Sequence, residues 1–226
     1  MKITYPAIFL NCKTYVESSG DKGINLAKIA NKTAKEYNCT IIIIPQHPLL
    51  AKIVDEVDIP VFSQSIDARD AGSHTGWIIP ENLKSIGVEG TLINHSEHRD
   101  TIANIERSIN LCKDLSMYSL ACSNNVQTSL GLAACLPDAI AMEPPELIGS
   151  GISVSTKPEI IKETIFLIKK HFKEVKTIVG AGVSNQKDVS DSIKLNAEGI
   201  LLASAFVKAK DPEKILIEMV EGLNKK

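Results

Sequence analysis

Three short stretches hold most of the chemically useful side chains of this 226-residue chain. Asn11-x-Lys13 follows the apolar run PAIFL, and Glu143 ends the run DAIAM just before two prolines. Between them, LINHSEHR (92–99) passes from core-like leucine and isoleucine to two histidines, a glutamate and an arginine. A carboxylate, an imidazole and an ammonium make up a proton-handling set: a base, a hydrogen-bonding ring and a fixed counter-charge. The bland reading of LINHSEHR is a helix start, with Ser96 and Glu97 serving exposed backbone N–H groups. Three further stretches are rich in small residues: IGSG (148–151), GAG (180–182) and Ala203-Ser204. Small residues let backbone N–H groups approach a ligand, and N–H groups at a helix start attract anions.

These residues need a frame that brings them together. Eight runs rich in isoleucine, valine and alanine recur along the chain, at 6–11, 39–45, 60–65, 90–95, 119–124, 138–143, 176–181 and 199–204. Most are continuous rather than alternating, as in parallel strands covered on both faces. Helical periodicity lies between them. Ile102, Ile105, Ile109, Cys112 and Leu115 share one face, as do Ile161, Ile165 and Ile168. Thr156 with Glu159 reads as a capping box, and Asp211-Pro212 as a cap followed by a first helical residue. The connectors 46–58, 80–87 and 125–135 have room only for short helices. Eight strand–helix units without a Gly/Ser/Pro linker predict a single-domain α/β (β/α)8 barrel over residues 1–226. The competing open doubly wound sheet would want a glycine-rich turn after strand 1, and FLNCKTY has none. In such a barrel the chemistry sits where strands end, which puts Asn11, Lys13, His95, Glu97, Glu143, GAG and Ala203-Ser204 on one rim. The loops after strands 7 and 8 then suggest a small phosphate ester as ligand.

Composition narrows the function classes. With 44% hydrophobic residues the chain can bury a large core. A formal charge of −2, from 25 basic and 27 acidic residues, gives no pull toward nucleic acid or an anionic membrane. No apolar run approaches the roughly 18 residues of a membrane span, and the N-terminus reads as a first strand rather than a signal peptide. Five cysteines, an odd number without a C-x-x-C pair, fit reduced thiols in a cytosol better than disulfides or zinc. The five histidines are scattered and no dinucleotide fingerprint appears, so neither a metal nor a dinucleotide cofactor is expected.

In this order and at these barrel positions, the motifs resemble those of the triosephosphate isomerase family, essentially from end to end. The resemblance rests on Asn11-x-Lys13, NHSEHR, Glu143-Pro144 opening an IGSG lid, and the turn at 180–182. It implies a cofactor-independent isomerase of glycolysis and gluconeogenesis that interconverts glyceraldehyde 3-phosphate and dihydroxyacetone phosphate through an enediolate. Glu143 would be the catalytic base, His95 a neutral electrophile at a helix N-terminus, and Lys13 the charge beside the substrate. Asn11 would bind substrate with Lys13, and Glu97 would hold that lysine. Ile148, Gly149, Gly182, Ala203 and Ser204 match positions whose backbone amides hold phosphate. Thr75 matches a residue that reaches into a neighbouring subunit. The chain is shorter than the roughly 250 residues typical of this barrel, carries Glu146 where most members have tryptophan, and has Ala203-Ser204 in place of a glycine pair. These features resemble the archaeal branch, which implies a cytoplasmic homo-oligomer, a tetramer rather than a dimer. The competing functions are isomerisation of another sugar phosphate, a non-catalytic barrel scaffold, and a hydrolase with metal on His95 and His98.

Overall fold

A computed structural model describes residues 3–145, 153 and 158–223. Eight parallel strands form the centre: β1 (Ala7–Asn11), β2 (Thr40–Ile44), β3 (Phe62–Ser63), β4 (Gly90–Ile93), β5 (Tyr118–Ser123), β6 (Ala139–Met142), β7 (Lys176–Val179) and β8 (Gly199–Leu202). They hydrogen-bond in the order β2-β1-β8-β7-β6-β5-β4-β3. A parallel bridge from Ile43 to Val61 joins the two ends of that order and closes the barrel. The open doubly wound sheet is thereby excluded. All eight apolar runs became strands, although the run at 60–65 keeps only two strand residues.

Side-chain alternation divides the apolar residues into two layers. Ala7, Phe9, Ile42, Ile44, Leu120 and Leu201 point into the barrel, whereas Ile8, Leu10, Ile41 and Ile43 pack outward against the helices. Both layers are dry, which explains why the strands read as unbroken apolar runs. Phe9, Phe62 and Tyr118 fill the interior as a cluster, with Phe62 stacked on Tyr118 at 5.5 Å. That cluster requires Gly90, since a Cβ there would sit 2.6 Å from the Phe62 ring.

Around the barrel run α1 (Gly20–Glu36), α2 (Leu50–Glu56), α3 (Pro80–Ser85), α4 (Ile102–Asp114), α5 (Val126–Ala133), α6 (Pro158–His171), α7 (Gln186–Lys194), α8 (Ser204–Val207) and α9 (Pro212–Leu223). The short connectors hold α2, α3 and α5, as expected. Asp211 caps α9 by accepting from the Lys214 N–H at 3.0 Å. Thr156 of the expected capping box lies outside the described residues. Helix α4 departs from the sequence reading in two ways. It buries Ile105, Ile109 and Cys112, but Ile102 is 58% exposed, because the first residue of the helix overhangs the barrel edge. It also starts later than HSEHR. Residues 95–98 make a turn closed by the His98 N–H on the His95 carbonyl (2.8 Å), and Thr101 caps the helix by accepting from Asn104 N–H.

The opposite end of the barrel carries an ionic knot. Glu198, just before β8, takes the Lys169 and Lys176 ammonium groups and the Thr177 N–H (2.9 Å). Burial alone would raise its carboxyl, but the two lysines and the N–H outweigh that and hold it below the usual range. A depressed folded-state value means stability that is fully present above the ordinary carboxylate range and is lost as pH falls through the lowered value. Melting temperatures of parent and Glu198→Gln should therefore differ most near neutral pH and converge only in acid, below the lowered value of Glu198. A gap that stays constant across pH would show that the carboxylate's charge is not what stabilises this end.

Candidate active site

Asn11 is the last residue of β1 and is buried; Lys13 follows it in a left-handed backbone conformation with φ 46°. For a side chain with a Cβ this costs on the order of 1 kcal/mol. Two bonds hold it: the Lys13 N–H donates to Asn11 Oδ1 (2.9 Å), and Gln64 Nε2 donates to the Lys13 carbonyl (2.9 Å). The turn aims the ammonium at Glu97 Oε1, 2.8 Å away.

His95 follows Asn94, itself left-handed at φ 58°. Asn94 Nδ2 donates to the Cys122 carbonyl (3.0 Å), and Arg99 donates to the Asn94 carbonyl (2.8 Å), so this loop is tied to β5. The His95 Nδ1 accepts from the Glu97 N–H at 3.2 Å. That assigns the proton of the neutral ring to Nε2. The group orienting the imidazole is therefore an amide of the 95–98 turn and not the N-terminus of a helix. Nε2 faces Glu143 Oε1 at 3.2 Å and lies 3.5 Å from Asn11 Nδ2.

Glu143 follows β6, with its N–H on the Ser123 carbonyl (2.7 Å), and is 4% exposed. One carboxylate oxygen meets His95. The other, Oε2, is buried without a hydrogen-bond partner among the described residues, and so is Ser96 Oγ. Gly180 makes room for this side chain, since a Cβ there would sit 2.6 Å from Glu143 Cγ.

A cavity of about 510 Å³ opens over these groups. Asn11, Lys13, His95, Glu97 and Glu143 line it, together with Gly182, Ala203 and Ser204 from the ends of β7 and β8. Gly182 has φ 72°, a conformation that favours glycine. Eight residues singled out from the sequence thus share one cavity. Thr75 does not join them; it is exposed on the loop 71–77. Ile148, Gly149 and Glu146 lie outside the described residues.

Comparison with known proteins identifies the family. The family model described as triosephosphate isomerase matches residues 6–221. The chain belongs to the triosephosphate isomerase family. The triosephosphate isomerase of Methanocaldococcus jannaschii is 48% identical to it over 215 residues, covering 95% of this chain and 98% of the relative. That of Methanothermus fervidus is 44% identical, covering 95% and 97%. That of Caldivirga maquilingensis is 42% identical, covering 96% and 97%.

Two neighbours of the triosephosphate isomerase site were not read from the sequence. Gly180 was noted only as part of a turn, yet it shapes the seat of Glu143. Cys122 sat unremarked inside a strand, yet its thiol reaches the Glu143 carboxylate. Burial pushes this thiol well above its ordinary range and the carboxylate pushes it further, so it stays an S–H donor. No local signal marks either residue, because each meets Glu143 only through strand pairing. Among the described residues, no group of three His, Cys, Asp or Glu side chains is placed to hold a metal.

Proposed function

We propose that this chain interconverts D-glyceraldehyde 3-phosphate and dihydroxyacetone phosphate by direct proton transfer. The observation that carries the reading is the 3.2 Å approach of His95 Nε2 to Glu143 Oε1 in the cavity that also holds the Lys13 ammonium. Glu143 takes the proton from the carbon next to the carbonyl, leaving an enediolate whose charge spreads over two oxygens. His95 gives its Nε2–H to the former carbonyl oxygen and takes up the proton of the neighbouring hydroxyl, and Lys13 supplies positive charge, so the charge develops where it is already countered. Glu143 then returns the proton to the adjacent carbon. Asn11 positions substrate beside Lys13, and Glu97 steadies the ammonium. The phosphate lies against the backbone of Gly182 and of Ala203-Ser204. No step calls for a metal or an organic cofactor.

A coupled assay with glyceraldehyde 3-phosphate, run with and without chelator, tests this reading. Turnover unaffected by chelator is expected. Turnover abolished by chelator would favour the metal hydrolase, and preference for a larger sugar phosphate would favour the rival isomerase. The setting that follows is glycolysis and gluconeogenesis in a cytoplasm, with no nucleic-acid or membrane partner. Among the described residues, no helix is long and apolar enough to cross a membrane.

The protein is further proposed to act as a homo-oligomer, a tetramer rather than a dimer. Its only tryptophan, Trp77, is 47% exposed on the loop that bears Thr75, with Arg69 lying 4.1 Å over the ring. A large aromatic at a polar loop tip gains by burial against a partner. Sedimentation at micromolar concentration should give a mass near four chains. A fully active monomer there would end the idea.

A further inference from the structure

Asp188 carries a carboxylate that is only 2% exposed and plays no part in the proton transfer. It sits in the first turn of α7. Its Oδ2 accepts from the Ser184 N–H (2.8 Å) and the Ser184 hydroxyl (2.9 Å), and its Oδ1 accepts from the Ser153 hydroxyl. Ser184 lines the substrate cavity two residues beyond Gly182. Ser153 belongs to the connection that runs from Glu143 to α6. One side chain thus joins the connections that follow two different strands, β6 and β7.

Helix capping accounts for part of this. Asn185 accepts from the Asp188 N–H (3.0 Å), and an acid in a first turn commonly returns a bond to the N–H groups before it. Capping does not require burial, and it does not require a hydroxyl from 35 residues away. A buried carboxylate is costly unless donors engage it, and three engage this one. Such a group resists displacement, because moving either serine strands a dry charge.

We infer that Asp188 is a positioning residue for phosphate binding. By holding Ser184 and Ser153 on one carboxylate, it fixes the turn 182–184 against Ser153 and so sets the width of the phosphate seat. This rests on the isomerase reading above and adds to it a residue outside the cavity.

The test uses the full chain and three variants, with steady-state kinetics on glyceraldehyde 3-phosphate and competitive inhibition by inorganic phosphate. In Asp188→Ala, KM and the phosphate Ki should each rise about tenfold while kcat stays within about threefold, the pattern of lost binding rather than lost chemistry. Asp188→Asn keeps one acceptor for the Ser184 N–H and can donate to the Ser153 hydroxyl. It should bring both constants back to within about threefold of the parent. Ser153→Ala should raise both by about threefold with little change in melting temperature. A role confined to helix stability would lower the melting temperature and leave KM and Ki unmoved. If folded Asp188→Ala keeps both constants within about twofold of the parent, the inference fails. Should Asp188→Ala not fold, Ser153→Ala decides, and unchanged constants there overturn it. A parent that does not isomerise the substrate overturns the functional reading instead; phosphate affinity measured by calorimetry on the same variants still tests Asp188.

Discussion

Glu143→Asp keeps the fold and loses at least about 100-fold in kcat, since an error of about 1 Å in a reacting group has that effect. The shorter side chain retracts the carboxylate by one methylene. Everything around it is built for the longer one. His95 Nε2 meets Oε1 at 3.2 Å, Gly180 is hollowed to admit the Cγ, and the Cys122 thiol reaches the same carboxylate. Aspartate leaves those contacts unfilled and stands off from the substrate carbon. KM should change far less than kcat, because the base contributes little to holding the phosphate. The measurement is the coupled assay beside far-UV circular dichroism. A folded variant with near-parental kcat would remove Glu143 as the base.

Lys13→Ala should be nearly inactive and still soluble. Removing one preorganised charge from a transition state commonly costs about 100- to 1,000-fold. The fold should tolerate the change for two reasons. Alanine has the same Cβ as lysine, so the left-handed backbone at φ 46° is no more strained than before. The abandoned partner, Glu97, has a side chain 60% exposed, so water takes up its charge. A kcat/KM within tenfold of the parent would show that the developing negative charge is met by some other group.

The eight strands were legible because both faces of each are dry, and that leaves an unbroken apolar signature. The eight residues that share the cavity were legible because strand ends supply them in chain order. What stayed hidden depends on distance in space or on competing local signals. Ser96-Glu97 reads as a helix start, but the His95 ring takes the Glu97 N–H, and the cap falls on Thr101. Ile102 keeps helical spacing with Ile105 and Ile109, but its place at the helix start leaves it facing outward. Strand β3 shrank because only Phe62 and Ser63 keep the pairing geometry beside β4. Cys122 and Gly180 gain meaning only when β5 and β7 flank β6, and Asp188 only when Ser153 folds back on α7.

The position of Trp77 also governs what light can report about this molecule. The barrel itself holds no indole, since the only one stands on the loop 71–77, half in water beneath a guanidinium. Tryptophan emission is therefore blind to the interior and sensitive to whatever covers or uncovers that loop. Unfolding of the barrel must be followed by circular dichroism or by its tyrosines, of which Tyr118 lies in the aromatic core. If the loop is where copies meet, dilution should shift the emission while the dichroism stays constant, giving assembly and folding separate optical signals.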